Sequence, residues 1–320
     1  YRNLTFFNLV GEMMKILVVG IGGIGGFFGG FLHESGADVT FLVRPKRKKI
    51  VSENGLKIIS SLGNINIQPN LILADELQPI YDVVLISCKT FDLKQALNDL
   101  SAIKGKGIII PFLNGIEHFR MLDKTFGEEN VMGGLAIISS TLHQDGSIEH
   151  FGNLRQNITF GNRDNKKNDI LLPFYEICKK SKFDVTLSEQ INSDLWKKWV
   201  FISTVAGATT LFGCSLGDIV KHNFGEKIIS DLYKECRLIA ESYGYTIEDE
   251  EANNIVKSIT APGSPIKASM QRDVEKNSFT EHEEIFGDLI SKANINKIEC
   301  PILMSCYVKM KVYQETLNLN

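Results

Sequence analysis

The chain has 320 residues, 35 of them basic and 38 acidic, for a formal net charge of −3. This length predicts about two domains, and the near balance of charge argues against binding of DNA or an anionic membrane through a basic surface. A hydrophobic fraction of 43% is typical of a folded globular protein. The six cysteines and six histidines lack the spacing of a disulfide framework or a metal site, which favours reduced thiols, no metal and a cytoplasmic location.

Residues 1–12 precede Met13 and Met14 and lack the basic region and cleavage site of a signal peptide. We expect them to be a leader or tag remnant. Seven of the 27 glycines fall within Ile16–Leu32, an uncharged stretch of 17 residues. It is too short and too rich in glycine for a membrane span, so no membrane partner is predicted.

Strands and helices alternate through the first half of the chain. Lys15–Val19 predicts a strand, followed by a glycine turn, a helix to about Ser35 and a second strand at Asp38–Val43. Further strands are predicted at Leu56–Ile59, Val83–Ser87, Ile108–Pro111 and Val131–Ile138. Ile148–Phe151 and Asn157–Phe160 predict a hairpin at the edge of the sheet. This order predicts an α/β fold with a doubly wound, mostly parallel sheet.

The second half has helical periodicity and few strand signals. We therefore predict a first domain over residues 13–188 and an all-helical second domain over residues 189–320. Ser264 and Pro265 are typical of an N-cap and the first residue of a helix.

A glycine-rich turn follows the first predicted strand. Its G-x-G-x-x-G pattern, followed by a helix, is typical of a dinucleotide-binding site, in which the helix N-terminus holds the phosphates. The predicted cofactor-binding residues of this turn are Gly20, Ile21, Gly22, Gly23, Ile24 and Gly25. The alternative is that these glycines serve only close packing.

The residue after the second strand bears on the choice of cofactor. An NAD site usually has an acidic residue at this position to bind the ribose hydroxyls, whereas this chain has Arg44 followed by four basic residues within five positions. A guanidinium can bind a 2′-phosphate through two hydrogen bonds, so we predict NADP(H). A solvated basic loop or a nucleic-acid patch is the alternative.

Several short motifs together resemble the ketopantoate reductase (2-dehydropantoate 2-reductase) family over residues 14–315. The matching pieces are the glycine turn, Phe41–Arg44, Ser87–Thr90, Leu113–Gly115, Gly133–Gly134, Leu195–Lys198, Ser269–Met270, Asp273 and Thr280–Glu281. The resemblance implies a Rossmann-type domain, a helical domain and NADPH-dependent reduction of a 2-oxo acid to a 2-hydroxy acid. It names ketopantoate in pantothenate biosynthesis, on the coenzyme A pathway, as the nominal substrate.

The resemblance also implies roles for individual residues. Arg44 and Lys89 would contact the adenosine-phosphate part of the cofactor, and Glu281 would bind the nicotinamide ribose. Asn114 would lie beside both nicotinamide and substrate. Lys198 would be the catalytic proton donor, and Ser269 would hold the substrate carboxylate.

The residues themselves support Lys198. Leu195, Lys198, Trp199 and Ile202 share one apolar helix face, whereas Lys197 points away from it. The alternative is a lysine at the domain edge that extends its ammonium to solvent. If one helix ran from Pro265, Ser269 and Glu281 would be about 18 Å apart and could not touch the same small acid.

The chain departs from the family pattern at three positions. Asparagines are common four, eight and eighteen residues after the family's lysine, where this chain has Ile202, Ala206 and Leu216. The first two are predicted to line a more apolar substrate pocket. This favours, as an alternative, a reductase of a bulkier, more apolar 2-oxo acid. A non-catalytic NADP(H)-binding sensor is a third hypothesis, and both a homodimer and a monomer stay open.

Overall fold

The computed structural model describes residues 13–151, 156–164 and 168–318. The predicted leader, residues 1–12, lies outside them. The chain divides into two compact units. The first unit runs to Leu113 and resumes over His118–Asn192, while the second contains Asn114–Glu117 and the chain from Ser193 onward.

The first unit contains the strands of the described chain. They are β1 (Lys15–Val19), β2 (Asp38–Leu42), β3 (Leu56–Ile59), β4 (Ile65–Ile67), β5 (Asn70–Ile72), β6 (Val83–Ile86), β7 (Ile108–Pro111), β8 (Gly133–Ile137), β9 (Ser140–Leu142), β10 (Ile148–His150), β11 (Asn157–Gly161) and β12 (Asp184–Leu187).

Helices occur in both units. They are α1 (Gly23–Glu34), α2 (Pro45–Asn54), α3 (Leu93–Asp99), α4 (His118–Phe126), α5 (Leu171–Cys178), α6 (Ile191–Phe212), α7 (Leu216–Val220), α8 (Gly225–Ser242), α9 (Asp249–Ile259), α10 (Ser269–Glu275), α11 (Asp288–Ile295) and α12 (Pro301–Asn318). Short 3-10 helices cover Ala74–Glu76, Thr90–Asp92, Leu100–Ile103 and Glu128–Asn130, and Glu283–Gly287 is a π-helix. No helix in the described ranges is both long and apolar enough to cross a membrane.

A five-stranded sheet forms the centre of the first unit. Its order is β5-β2-β1-β6-β7, and every neighbouring pair is parallel. Four of the five residues of β1 are buried, as expected for a strand covered on both faces. The predicted α/β fold with a parallel, Rossmann-type sheet is confirmed. In the second unit, the described residues from Ser193 onward are helical with no strand among them.

Four of the predicted strands, β3, β8, β10 and β11, lie in smaller sheets. β3 belongs to a four-stranded sheet of order β4-β3-β10-β9, and β8 belongs to a three-stranded sheet of order β12-β11-β8. Both segments have the apolar character of buried strands, but strand pairing depends on contacts between distant parts of the chain. A local pattern cannot specify which sheet a strand joins.

The predicted hairpin of Ile148–Phe151 with Asn157–Phe160 is wrong. β10 pairs antiparallel with β9 instead, while β11 pairs with β8 and β12. The physical reason is a turn at Asp145-Gly146, where the Asp145 carboxylate accepts the backbone N–H of Ser147 at 2.9 Å. Asp-Gly is a strong hairpin signal, and it joins β10 to the strand that precedes it.

The predicted helix start at Ser264 and Pro265 is also wrong. α10 begins at Ser269, because the preceding segment is held outside a helix by the start of α7. The backbone N–H groups of Leu216 and Gly217 donate to the carbonyls of Ile266 and Ser264, at 3.0 and 2.9 Å. α10 ends at Glu275, so Ser269 and Glu281 do not share one helix and the expected separation does not apply.

The turn between β1 and α1 brings backbone very close to backbone. Gly20 has φ +93°, which favours glycine, and its N–H donates to the carbonyl of Leu42 at 3.1 Å. A Cβ at Gly25 would collide with the carbonyl of Gly20 and with Ser87 Oγ. A Cβ at Gly22, the N-cap of α1, would have no atom within 4 Å. Gly25 is therefore required by packing, whereas Gly22 leaves open space.

This difference predicts a larger loss of stability for one of two alanine variants than for the other. Gly25→Ala should lower the free energy of unfolding by about 1–3 kcal/mol, because the backbone must shift to admit the methyl group. Gly22→Ala should lower it by less than about 1 kcal/mol, the cost of alanine at an N-cap. Urea unfolding followed by circular dichroism measures both. Equal losses for the two variants would contradict the packing assigned to Gly25.

Candidate active site

The glycine turn presents a helix N-terminus without an opposing charge. α1 begins at Gly23 and has no acidic residue in its first turn. The first N–H groups of a helix lack intrahelical acceptors and carry a partial positive charge, which suits a phosphate. The space beside Gly22 lets a ligand approach the backbone there. Ile21 is buried and Ile24 packs against the core of this unit, so the side chains of these two predicted residues anchor the turn to the core.

Arg44 lies at the carboxyl end of β2 as the N-cap of α2, and its side chain is 64% exposed. Its Nη2 donates to Asp92 Oδ1 at 2.6 Å, and this contact raises the pKa of Arg44 further above its usual value. An ion pair this exposed contributes at most about 1 kcal/mol, so an incoming anion can compete with Asp92. Arg44 is charged at any physiological pH and is available to a phosphate.

Lys89 lies close to the same edge of the sheet. It is half-buried and is the N-cap of the 3-10 helix Thr90–Asp92, which contains the carboxylate bound by Arg44. The neighbouring Cys88 lies 3.8 Å from where a Cβ on Gly20 would stand. The glycine turn, Arg44 and Lys89 are thus gathered at the carboxyl ends of β1, β2 and β6. This is where open parallel sheets bind ligands.

Lys198 lies on α6 in the second unit. The residue as a whole is half-buried, but its ammonium is enclosed by protein, and this desolvation lowers the pKa of Lys198 to about 8. The Glu281 carboxylate opposes the shift because its negative charge favours the ammonium. Lys197 has a different environment and pairs with Glu251 at 2.7 Å.

Asn114 and Glu281 contact each other in the same unit. Asn114 Nδ2 donates to Glu281 Oε2 at 3.1 Å, and Glu281 is only 6% exposed. Gly115 permits this approach, because a Cβ there would stand 2.6 Å from the carbonyl of Glu284. Asn114, Glu281 and Lys198 form what we call the acid cluster. An ammonium with a pKa of about 8, attracted by a carboxylate that an amide holds, can donate a proton to a ligand oxygen.

The remaining predicted substrate residues have different environments. Ile202 is half-buried, one turn after Lys198 on α6, whereas Ala206 is 1% exposed and Leu216 is fully buried in the core of the second unit. Ser269 is exposed at the start of α10. Ile202 is therefore the more open of the two α6 positions predicted to line the pocket.

Two features near the acid cluster were not predicted from the sequence: a pair of hydrogen bonds from α6 to the π-helix, and a buried carboxylate, Glu284. Trp199 and Ser203 donate from α6 to the carbonyl of Ile285 in the π-helix. Glu284 has a pKa raised to about 7, mainly by burial and further by neighbouring carboxylates that include Glu281. No sequence pattern marks a π-helix, but a serine on the buried face of α6 is a signal that could have pointed to this contact.

The comparisons with known proteins agree with these features. Sequence profiles of the ketopantoate reductase PanE/ApbA family match residues 16–165, and those of its C-terminal part match residues 190–314. An uncharacterised oxidoreductase of Bacillus subtilis strain 168, YkpB, is 36% identical over 94% of this chain and 99% of its own length.

More distant relatives have related names. A 2-dehydropantoate 2-reductase of Streptococcus pyogenes serotype M18 is 22% identical over 90% of this chain and 94% of its own. D-mandelate dehydrogenase, solved with NADH and anilino(oxo)acetate, has the same fold, with a TM-score of 0.85 and 20% identity over 95% of this chain and 100% of its own. With both family profiles matched and a relative at 36% identity along nearly the whole chain, the protein belongs to the ketopantoate reductase family.

Proposed function

We propose that this protein is a cytoplasmic, NADPH-dependent reductase of a free 2-oxo acid, nominally of 2-dehydropantoate to pantoate in pantothenate biosynthesis. The observation that supports it best is the acid cluster, in which the Lys198 ammonium is desolvated and attracted by the Glu281 carboxylate, which in turn accepts from Asn114. Family membership makes oxidoreductase chemistry on a 2-oxo acid the natural use of this cluster.

The residues of the first unit fit a dinucleotide phosphate. The N-terminus of α1 and the space at Gly22 would hold the pyrophosphate, and Arg44 with Lys89 would hold the adenosine 2′-phosphate. Reduced nicotinamide, when bound, supplies the hydride for the ketone carbon. Glu281 would bind the nicotinamide ribose, and Asn114 would lie beside the nicotinamide and the substrate.

Lys198 supplies the proton in this proposal. Negative charge develops on the ketone oxygen during reduction, and an ammonium stabilises that charge and then protonates the oxygen. A pKa of about 8 leaves Lys198 charged at neutral pH yet acidic enough to donate. Ser269, exposed at the start of α10, would bind the substrate carboxylate.

A bulkier, more apolar 2-oxo acid is the second candidate substrate. Ile202 and Ala206 follow Lys198 on α6 and offer no hydrogen bond from their side chains to a substrate hydroxyl. A D-mandelate dehydrogenase with the same fold was solved with anilino(oxo)acetate. This supports the use of the fold for a bulkier, more apolar acid than ketopantoate.

Replacing Lys198 tests the proton donor. Lys198→Ala should lower kcat by about 10²–10⁴-fold, because the developing charge loses its acid. The parent's kcat should also fall as pH rises through about 8, since the ammonium that donates the proton is lost above that pKa. Steady-state kinetics with ketopantoate from pH 6 to pH 10 measures both effects.

Lys197→Ala is the matched control for that experiment. It removes the neighbouring lysine, whose partner is Glu251 on α9, and should leave kcat nearly unchanged. Parental turnover by Lys198→Ala would reject Lys198 as the acid. NADPH binding by a parent protein that reduces no 2-oxo acid would favour the sensor hypothesis.

Replacing Arg44 tests the cofactor. Arg44→Ala should weaken NADPH binding at least about tenfold and NADH binding much less, because a charge-assisted pair with the 2′-phosphate is lost. Fluorescence titration with each dinucleotide measures the two Kd values. Lys124→Ala removes the same charge from an exposed position on α4 and should change neither. Equal weakening of both cofactors by Arg44→Ala would argue against NADP(H) preference.

A substrate panel tests the nominal assignment. kcat/KM should be measured for ketopantoate and for branched and aromatic 2-oxo acids. A value for ketopantoate about a hundredfold below the best alternative would reject it as the substrate. Ile202→Asn, which places an amide at the more open α6 position, should shift the preference toward ketopantoate. No shift would indicate that Ile202 does not line the pocket.

A further inference from the structure

The carbonyl of Ile285 is held by two side chains of α6. Trp199 Nε1 and Ser203 Oγ each donate to it at 3.0 Å. The two donors lie one helical turn apart and are 1% and 0% exposed, so the contacts are sealed from water. Ile285 lies in the π-helix, whose wider turn changes the usual helical partners of its carbonyls.

Ser203 differs from the other buried hydroxyls of α6. Thr204 and Thr210 donate to carbonyls four residues earlier in their own helix, at 2.9 and 2.7 Å. That is the ordinary arrangement for a hydroxyl inside a helix. Ser203 instead donates across to the π-helix, which makes it a link between two segments.

The link continues from Ile285 to the acid cluster. The backbone N–H of Ile285 donates to the carbonyl of Glu281 at 3.1 Å, and the Glu281 carboxylate accepts from Asn114. Gly115, next to Asn114, lies against the carbonyl of Glu284 in the same π-helix. Glu281 is therefore held at its backbone by the π-helix and at its carboxylate by Asn114.

We propose that Trp199 and Ser203 are positioning residues that, through the carbonyl of Ile285, fix the Glu281 carboxylate relative to the Lys198 ammonium. Lys198 directly precedes Trp199 on α6. The same turn of α6 therefore carries the ammonium and the indole N–H that binds the carbonyl of Ile285, four residues after Glu281. This inference rests on the proposed function, because it gives Glu281 its role toward the proposed acid.

Other charges of this segment have partners elsewhere. Glu283 accepts from Tyr307 and Lys311 of α12, at 3.0 and 2.8 Å. Asp288 lies near Glu117 and Lys292, which pair with each other at 2.7 Å. Glu284 is close enough to Glu281 for that carboxylate to raise the pKa of Glu284. Glu281 is the charged group that raises the pKa of Lys198 against desolvation.

The proposal predicts the sign of a measurable change. If the link is cut and Glu281 moves away, the ammonium loses an attractive charge while desolvation remains, so the pKa of Lys198 falls. Two variants cut it, the first with little change in volume and the second with the loss of one ring from a buried indole. Ser203→Ala deletes the hydroxyl, and Trp199→Phe deletes the indole N–H while keeping an aromatic ring. Thr204→Val is the matched control, because it deletes a buried hydroxyl that donates within α6 and not to the π-helix.

The pKa of Lys198 can be measured without turnover, by competitive acetic anhydride labelling at a series of pH values with mass spectrometry of the peptide. Ser203→Ala and Trp199→Phe should each lower it by about half a unit, and Thr204→Val should leave it unchanged. In steady-state assays kcat should fall about tenfold in the first two variants with KM within about twofold, because positioning rather than binding is lost.

The two readouts separate this inference from the proposed function. An unchanged Lys198 pKa in both linking variants, or an equal change in Thr204→Val, would overturn the positioning role whatever the activity. A lowered pKa in the linking variants supports it even if Lys198→Ala retains full turnover. In that case the proposed acid alone is rejected.

Discussion

The attraction between a desolvated ammonium, that of Lys198, and one carboxylate, that of Glu281, is the interaction on which the proposed chemistry depends. Burial lowers the pKa of Lys198 and Glu281 limits the fall, so the value of about 8 reflects a balance between desolvation and attraction. Asn114 holds the carboxylate, and Trp199 and Ser203 hold the segment behind it. Moving the Glu281 carboxylate away from the ammonium would lower the pKa of Lys198.

The two units contribute different kinds of group, backbone from the first and ionisable side chains from the second. The first provides backbone: a turn in which Gly25 cannot carry a side chain, an open position at Gly22 and an uncompensated helix N-terminus. The second provides side chains whose ionisation depends on burial, and these are carried on α6 and on the π-helix that contacts it. Phosphate recognition needs hydrogen-bond donors in fixed positions, whereas proton donation needs a group whose pKa lies close to the working pH.

Local patterns were sufficient for the elements whose structure is set by near neighbours. The apolar run of Lys15–Val19, the glycine turn and the placement of Lys198 apart from Lys197 could be read directly. The pairing of β10 with β3 and the start of α10 could not, because each depends on backbone hydrogen bonds to distant residues. The pairing of β10 with β9 has a local signal in Asp145-Gly146. The π-helix could not be predicted either, since no residue pattern specifies it, and Ser203 on the buried face of α6 was the one signal of its contact with that helix.

A crystal structure with NADP⁺ and a non-reducible 2-oxo acid analogue would test the central claim most directly. Lys198 Nζ should lie within hydrogen-bond distance of the analogue's keto oxygen, with Glu281 and Asn114 still in contact with each other. A keto oxygen bound by other groups, with Lys198 remote from it, would contradict the assignment of Lys198 as the acid.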